Sequence, residues 1–252
     1  MVKLNYKIFF RELINSFRLN GFFRRFTPIL RERESFPFTK VEYGRAGNNL
    51  ISSDQLKIWC TNDYLNMSHD QEVIDEMVSV IHRVGTGSGG TRNISGTTPF
   101  HQNLENTLSE YHNKDGALIF NSAYLANQTT IWTICKALKN VCVFSDSLNH
   151  ASLIQGIKNS NSECKIFDHN DLEHLEKLLK QTDENRPKLI VFESLYSMDG
   201  TIVPVNKYVK LAKKYNALTY LDEVHAVGLY GNQGRGIANL LGVSKDVDII
   251  NG

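Results

Sequence analysis

The sequence lacks several features that mark whole classes of protein. Its 252 residues carry a formal net charge of only +1, so charge gives no reason to expect nucleic acid or an acidic membrane as a partner. No apolar run approaches the roughly 20 residues that a membrane-spanning helix needs. The N-terminal stretch includes Glu12 and has no small-residue cleavage site, so it does not resemble a secretory signal. These absences predict a cytoplasmic protein.

Paired cysteine motifs, metal-ligand spacing and a P-loop are also missing. The four cysteines, Cys60, Cys135, Cys142 and Cys164, form no CxxC pair, so buried free thiols are expected rather than a disulfide or a metal site. No two His or Cys residues stand at ligand spacing with a third partner, and no metal is expected. Residues 85–97, GTGSGGTRNISGT, are followed by no Gly-Lys-Ser/Thr and predict a shaped loop.

An N-terminal arm, residues 1–50, is expected to precede one large domain, residues 51–252. Apolar residues at helical spacing predict an amphipathic helix over 5–18, with a helix lying on a membrane surface as the alternative. Gly21 and Pro28 interrupt the pattern. We find no repeat, low-complexity tract or linker in the rest of the chain.

Short apolar runs alternate with helix-length stretches along that domain. The predicted strands are 57–60, 117–120, 141–145, 165–168, 189–193, 218–222 and 247–250, and the predicted helices are 71–83, 100–112, 124–138, 149–159, 171–181, 204–215 and 234–241. This alternation predicts an α/β fold with a mostly parallel sheet covered by helices on both faces.

Polar or small residues follow four of the predicted strands. They are Asn121–Ser122–Ala123, Ser145–Asp146, Glu193–Ser194 and Asp222–Glu223–Val224–His225. Because ligands of such sheets bind beyond the carboxyl ends of the strands, we expect a binding site at this edge.

Each of these motifs has a functional and a structural interpretation. In TYLDEVHAVG (219–228), Asp222 could pair with a protonated ring nitrogen or could cap the next turn. In SDSLNHAS (145–152), His150 could stack on an aromatic ligand or be a satisfied structural group. The helix start in FNSAYLAN (120–127) suits a phosphate, although such helix starts are common. In ESLYSMDG (193–200), a hydrogen-bonded loop explains Asp199 and Gly200 better than it explains Glu193 and Ser197.

Together these four motifs, which follow one another along the chain as FNSAYLAN, SDSLNHAS, ESLYSMDG and TYLDEVHAVG, resemble the α-oxoamine synthases, a family of pyridoxal-phosphate (PLP) enzymes of fold type I. The stretches CTNDYLNMS (60–68) and GSGGTRNISGTTPFHQNLE (87–105) are similar to the branch that condenses glycine with succinyl-CoA. Ala123, where other branches usually carry glycine, also fits that branch. The resemblance runs from about Gly21 to Gly252.

The resemblance implies PLP as the cofactor and assigns roles around it. Asp222 would pair with the pyridine nitrogen, His225 would hydrogen-bond the phenolic oxygen, and His150 would stack on the ring, which makes these three the catalytic candidates. The other implied cofactor contacts are Ala123 and Tyr124 at the phosphate, Ser197, and Glu193, which also matches a substrate-side position.

The substrate-binding residues implied by the resemblance are Asn62 and the succinyl-CoA positions Arg24, Thr91, Asn93 and Ser145. Arg24 could pair with the succinyl carboxylate. Where some relatives place a lysine near the coenzyme A phosphates, this chain has Cys164 followed by Lys165.

In the family, the strand ending Asp-Ile-Ile-x-Gly leads to the lysine that binds PLP covalently, and here that pattern is Asp248–Gly252. The resemblance therefore implies that the lysine and a C-terminal domain would follow Gly252, and that residues 1–252 alone are inactive. It also implies a homodimer, or a second polypeptide that supplies the missing half. The alternatives are another α-oxoamine synthase and a non-catalytic interaction fragment.

Overall fold

The computed structural model of the chain describes residues 4–24, 26, 29–39 and 56–252. It forms two compact units, Met1–Thr86 and Gly87–Gly252. The predicted boundary between an arm and a domain, at residues 50 and 51, lies outside the described residues and stays a prediction.

The first unit contains two helices and a two-stranded antiparallel sheet. Helix α1 spans Tyr6–Leu19 and α2 spans Gln71–Val84, while β1 (Phe38–Thr39) pairs with β2 (Leu56–Lys57). Each helix begins after a side chain that caps its free N–H groups: Asn5 before α1 and Asp70 before α2. The helices predicted over 5–18 and 71–83 are confirmed, whereas the strand predicted over 57–60 is shorter and begins one residue earlier.

The second unit is an α/β domain. Its helices are α3 (Pro99–His112), α4 (Ala123–Ala137), α5 (Ala151–Ser160), α6 (Leu172–Lys180), α7 (Val205–Lys214) and α8 (Ile237–Leu240). Its strands are β3 (Cys142–Asp146), β4 (Glu163–Phe167), β5 (Lys188–Glu193), β6 (Leu218–Asp222) and β7 (Ile249–Asn251). These five strands form one parallel sheet in the order β4-β3-β5-β6-β7, which confirms the predicted fold class.

Alternate residues of the central strands point to opposite faces and build a separate core on each. On one face, Phe144 and Phe192 pack with Tyr208 of α7, whose ring stacks on Phe192 at 4.3 Å between centroids. On the other face, Val143 and Val191 pack against Ile131 of α4. Because both faces are covered, β5 is buried along its whole length and is continuously apolar from Leu189 to Phe192.

Helices α4 and α5 approach each other closely at Gly156. A Cβ atom at this position would lie 3.1 Å from the backbone oxygen of Gln128 and 3.1 Å from Cβ of Ile131. Glycine therefore permits this close packing, which sets the relative position of the two helix starts that face the carboxyl edge of the sheet.

Two predicted elements of the second unit are wrong in type or length. Residues 117–120 form no strand: the Ile119 N–H donates to the Glu105 side chain, and this segment and β7 both line a cavity of about 490 Å³. The helix predicted over 234–241 is reduced to α8, because Gly234 and Gly236 take φ values of +73° and +93° that no helix accommodates.

Two further sequence expectations concern the membrane and the cysteines. Within the described ranges, no helix is both long enough and apolar enough to cross a bilayer. All four cysteines are free thiols; Cys135 and Cys142 are buried, but Cys60 and Cys164 are exposed, so their predicted burial is wrong. Cys164 is exposed because β4 is an edge strand of the sheet.

Candidate active site

Three neighbouring strands end in polar side chains at one edge of the sheet. Strand register places Glu193 of β5 beside Asp222 of β6, and Asp222 beside Asn251 of β7. Both carboxylates are buried. The sheet therefore brings together strand-end residues that are far apart in the sequence.

Asp222 is one of three buried carboxyl groups at this edge, with Glu193 and Glu223. Its Oδ1 accepts a hydrogen bond from the backbone N–H of Val224 (3.0 Å), and its Oδ2 accepts one from Nδ2 of Asn127 (2.6 Å). Burial raises the pKa of Asp222, while these two hydrogen bonds and the charges of His150 and His225 act in the opposite direction. A cationic donor placed against this carboxylate would offset its desolvation.

His150 stands at the start of α5 with an exposed ring. The backbone N–H of Ser152 donates to its Nδ1 (3.2 Å), and the hydroxyl of Ser152 lies 2.7 Å from the same nitrogen. Nδ1 of His150 therefore faces Ser152. The Tyr124 ring meets His150 edge to face at 6.1 Å between centroids, so the two aromatic side chains border the same space.

Oε1 of Glu193 accepts a hydrogen bond from the backbone N–H of His150 (2.6 Å). Burial, reinforced by the charge of Asp222, raises the pKa of Glu193 to about 8. Near neutral pH this carboxyl is therefore largely protonated and can donate as well as accept a hydrogen bond.

The start of α4 faces the same edge. Ala123 and Tyr124 occupy its first two positions, and the hydroxyl of Ser122 caps the N–H of Leu125 (3.2 Å). Asn127, about 6 Å of helix rise beyond Ala123, donates a hydrogen bond to Asp222. A ligand with a protonated ring nitrogen at one end and an anionic group at the other could span that distance.

The two remaining predicted cofactor contacts lie in loops after β5 and β6. His225 is half-buried three residues beyond Asp222, near enough for its charge to lower the pKa of that carboxyl. Ser197 is exposed in a loop closed by a bridge between Leu195 and Ile202. His225 is thus near Asp222, whereas for Ser197 the structure shows only its position in the loop.

The predicted substrate residues of this unit are dispersed. Thr91 precedes a single π-helical turn, Arg92–Gly96, in which Asn93 is exposed, and Asn93 lines a cavity of about 410 Å³ with Leu125 of α4. Ser145 is buried, and its hydroxyl accepts a hydrogen bond from Asn149 (2.9 Å).

Three other positions singled out from the sequence lie elsewhere. Arg24 and Asn62 are exposed residues of the first unit. The Lys165 ammonium group donates to the Thr182 hydroxyl (2.7 Å), so this lysine already has a partner within the fold.

No role was predicted from the sequence for the residues that support the site from behind. Asn127 and Ser152 link Asp222 to His150, and Asp146 accepts hydrogen bonds from His169 and from the Asn170 N–H. Asn127 stands four residues before Ile131, so it is a polar residue on the apolar face of α4. That pattern was a usable signal, since a buried amide requires partners.

Glu223, the neighbour of Asp222, was expected at this edge without a stated role. Its Oε1 accepts the N–H groups of Ile237 and Ala238 (2.8 and 3.0 Å), and a Cβ at Gly236 would lie 2.3 Å from Oε2. Glu223 therefore fixes the loop between β6 and α8, which contains His225.

Comparison with known proteins agrees with this architecture. A family model described as aminotransferase class I and II matches residues 54–251. The 5-aminolevulinate synthase of Rickettsia bellii (strain RML369-C) is 46% identical over 247 residues, which are 98% of this chain and 57% of that protein. The erythroid-specific mitochondrial 5-aminolevulinate synthase of Bos taurus is 43% identical over 98% of this chain and 41% of its own length.

A structural relative gives the same result. A solved structure of serine palmitoyltransferase from S. paucimobilis, with a bound PLP–myriocin aldimine, matches with a TM-score of 0.81 at 29% identity and covers 96% of this chain and 57% of that one. These relatives confirm the resemblance inferred from the motifs. The chain spans between 41% and 57% of their length. The chain belongs to the aminotransferase class I and II family.

Proposed function

We propose that the protein catalyses the PLP-dependent condensation of glycine with succinyl-CoA, which consumes a proton and gives 5-aminolevulinate, coenzyme A and carbon dioxide. The observation that carries this proposal is the buried Asp222 carboxylate at a strand end, bonded to Asn127 and lying near two histidines. The similarity to 5-aminolevulinate synthases selects this reaction within the family.

The residues at the sheet edge fit PLP. Asp222 would hold a proton on the pyridine nitrogen, His150 would pack on the ring face, and His225 would hydrogen-bond the phenolic oxygen. Ala123 and Tyr124 would receive the phosphate at the start of α4. When bound, PLP supplies an aromatic ring that accepts the electron pair left at the glycine Cα.

Glu193 has a separate role on the substrate side. Because its pKa is raised to about 8, it can present a protonated carboxyl group at neutral pH while its Oε1 accepts the His150 N–H. A neutral donor there would hydrogen-bond a substrate oxygen without repelling the carboxylate of glycine. Ser197 completes the set of proposed cofactor contacts.

We assign substrate binding to residues outside the ring site. Asn62 and the succinyl-CoA positions Arg24, Thr91, Asn93 and Ser145 are proposed by similarity. The cavity that Asn93 lines with Leu125 lies at the start of α4, which supports a position for Asn93 between the acyl substrate and the cofactor phosphate. We also propose that the working form is a homodimer or is completed by a second polypeptide, and that it works in the cytoplasm.

Substrate selection by the product of the complete reading frame tests this function. Purified protein with PLP would receive glycine or serine with acetyl-, succinyl-, pimeloyl- or palmitoyl-CoA, and free coenzyme A and the amino ketone would be measured. We expect kcat/KM for glycine with succinyl-CoA to exceed every other pair by at least tenfold. A preference for another pair would identify a different α-oxoamine synthase, and no turnover with any pair would contradict the proposal.

A further inference from the structure

Asn127 uses every hydrogen-bonding position of its buried side chain. Its Nδ2 donates to Oδ2 of Asp222 (2.6 Å) and to Oγ of Ser152 (2.9 Å). Its Oδ1 accepts from the Tyr220 hydroxyl (2.8 Å) and from Nδ2 of Asn251 (2.9 Å). One amide therefore connects β6, β7 and the starts of α4 and α5.

The orientation of this amide is set by charge. When Asp222 is ionised it only accepts hydrogen bonds, and Nδ2 rather than Oδ1 must then face it. With Oδ1 occupied by two donors from the sheet, the amide has no reason to rotate. The N–H groups thus remain directed at Asp222 and Ser152, and they favour the ionised form of Asp222.

The second N–H of the amide extends this orientation to His150. Ser152 accepts from Asn127 and lies 2.7 Å from Nδ1 of His150, which also accepts the Ser152 backbone N–H. The carboxylate and the imidazole are therefore oriented by the same buried amide, although neither touches the other through a described hydrogen bond.

We propose that Asn127 is a positioning residue that keeps Asp222 ionised and aimed at the cofactor nitrogen, and that sets the His150 ring through Ser152. This inference deepens the proposed function and rests on it only for the identity of the ligand. A purely architectural amide would join secondary-structure elements without regard to the protonation of Asp222.

Two variants with opposite electrostatic effects on Asp222 distinguish a positioning role of Asn127 from a purely architectural one. Asn127→Leu removes the donor, so Asp222 takes up a proton more readily, and PLP affinity should fall at least tenfold at pH 6.5 and recover towards pH 9. Asn127→Asp can donate to Asp222 only while the pair holds a proton, so its loss of affinity should be larger at pH 9 than at pH 6.5. Tyr220→Phe is the matched control, because it removes one hydrogen bond from Oδ1 and leaves the Asp222 contact in place.

The PLP dissociation constant would be measured by fluorescence titration of the product of the complete reading frame. Opposite pH trends in the two variants, with the control within threefold of wild type, support the proposal. Equal losses at both pH values, or affinities within twofold of wild type, overturn it.

A second readout does not depend on PLP binding or on folding of the leucine variant. In cofactor-free protein labelled with ¹³C-aspartate, the Asp222 carboxyl should titrate at least one pH unit higher in Asn127→Leu, or in Asn127→Ser if the leucine variant does not fold, than in Tyr220→Phe. An unchanged titration refutes the role of Asn127. If wild-type protein binds no PLP but this shift is found, the proposed function fails and the role of Asn127 stands.

Discussion

Replacing Glu193 by glutamine should stabilise the protein above neutral pH and have little effect near pH 5. The Oε1 of glutamine can still accept the His150 N–H, so the native hydrogen bond is retained. The substitution removes an ionisable group. Burial raises the pKa of Glu193 to about 8 in the folded protein, against about 4.5 in the unfolded chain. Between pH 4.5 and pH 8 the Glu193 carboxyl is protonated in the folded state and ionised in the unfolded state. The contribution of protonated Glu193 to stability is therefore complete below pH 4.5 and is lost as the pH rises towards 8.

The size of the effect follows from proton linkage. With these two pKa values, Glu193 lowers the free energy of unfolding by about 2–3 kcal/mol between pH 5 and pH 7.5. Asp222 and Glu223, whose pKa values are also raised by burial, contribute in the same direction. Because both proteins contain Asp222 and Glu223, the difference between their free energies of unfolding at each pH gives the contribution of Glu193.

Urea unfolding without added cofactor, at half-unit steps from pH 5 to pH 8, measures this difference. We expect the two proteins to have similar free energies of unfolding at pH 5 and the variant to be more stable by about 2–3 kcal/mol at pH 7.5. Glu173→Gln on helix α6 is the matched control, because that carboxylate lies on the first turn of an amphipathic surface helix. Parallel pH curves for wild type and Glu193→Gln would contradict the raised pKa of Glu193.

Two further predictions concern packing and the loop before α4. Gly156→Val should destabilise the protein by about 1–3 kcal/mol, because the valine side chain would press against Ile131 and the α4 backbone. Gln155→Ala, on the exposed face of α5, should have little effect. Chemical unfolding measures the free energy of unfolding of both variants. Glu105, whose pKa is lowered to about 2 chiefly by Arg92, contributes stability that is present above pH 4.5 and lost between pH 4.5 and pH 2. Acid unfolding of Glu105→Gln should therefore be flatter over that range, and an unchanged profile would contradict the assigned ion pair.

Most of the fold could be predicted from the sequence because its signals are local. Strand β6 was bounded correctly at both ends, since an apolar run closes at Asp222 and the next residues are polar. Helices α3 and α4 were located to within one residue because residues of helical spacing and length fill these stretches.

The errors arise where partners distant in sequence decide the structure. Residues 117–120 are apolar enough for a strand, but the Ile119 N–H is satisfied by Glu105 rather than by a neighbouring strand. No local pattern distinguishes these two outcomes, because a strand needs a partner and periodicity does not identify one.

The sequence predicted which ionisable residues meet at the sheet edge, but not the residues that hold them in place. Asp222, His150 and Glu193 stand at strand or helix ends, which is where a sheet of this kind binds ligands. Asn127 becomes important only because the α4–α5 packing brings it against Asp222, and such a contact depends on tertiary geometry.

In the proposed function, the carboxylate at the end of β6 binds the protonated nitrogen of PLP. The most direct test is to titrate PLP into the product of the complete reading frame as wild type, as Asp222→Asn, and as Asp183→Asn, which changes an exposed turn residue. Loss of a hydrogen bond to a charged group costs about 1.5–3 kcal/mol, so we predict that Asp222→Asn weakens PLP binding about 10- to 100-fold while Asp183→Asn binds like wild type. Equal affinity in all three proteins would contradict the account.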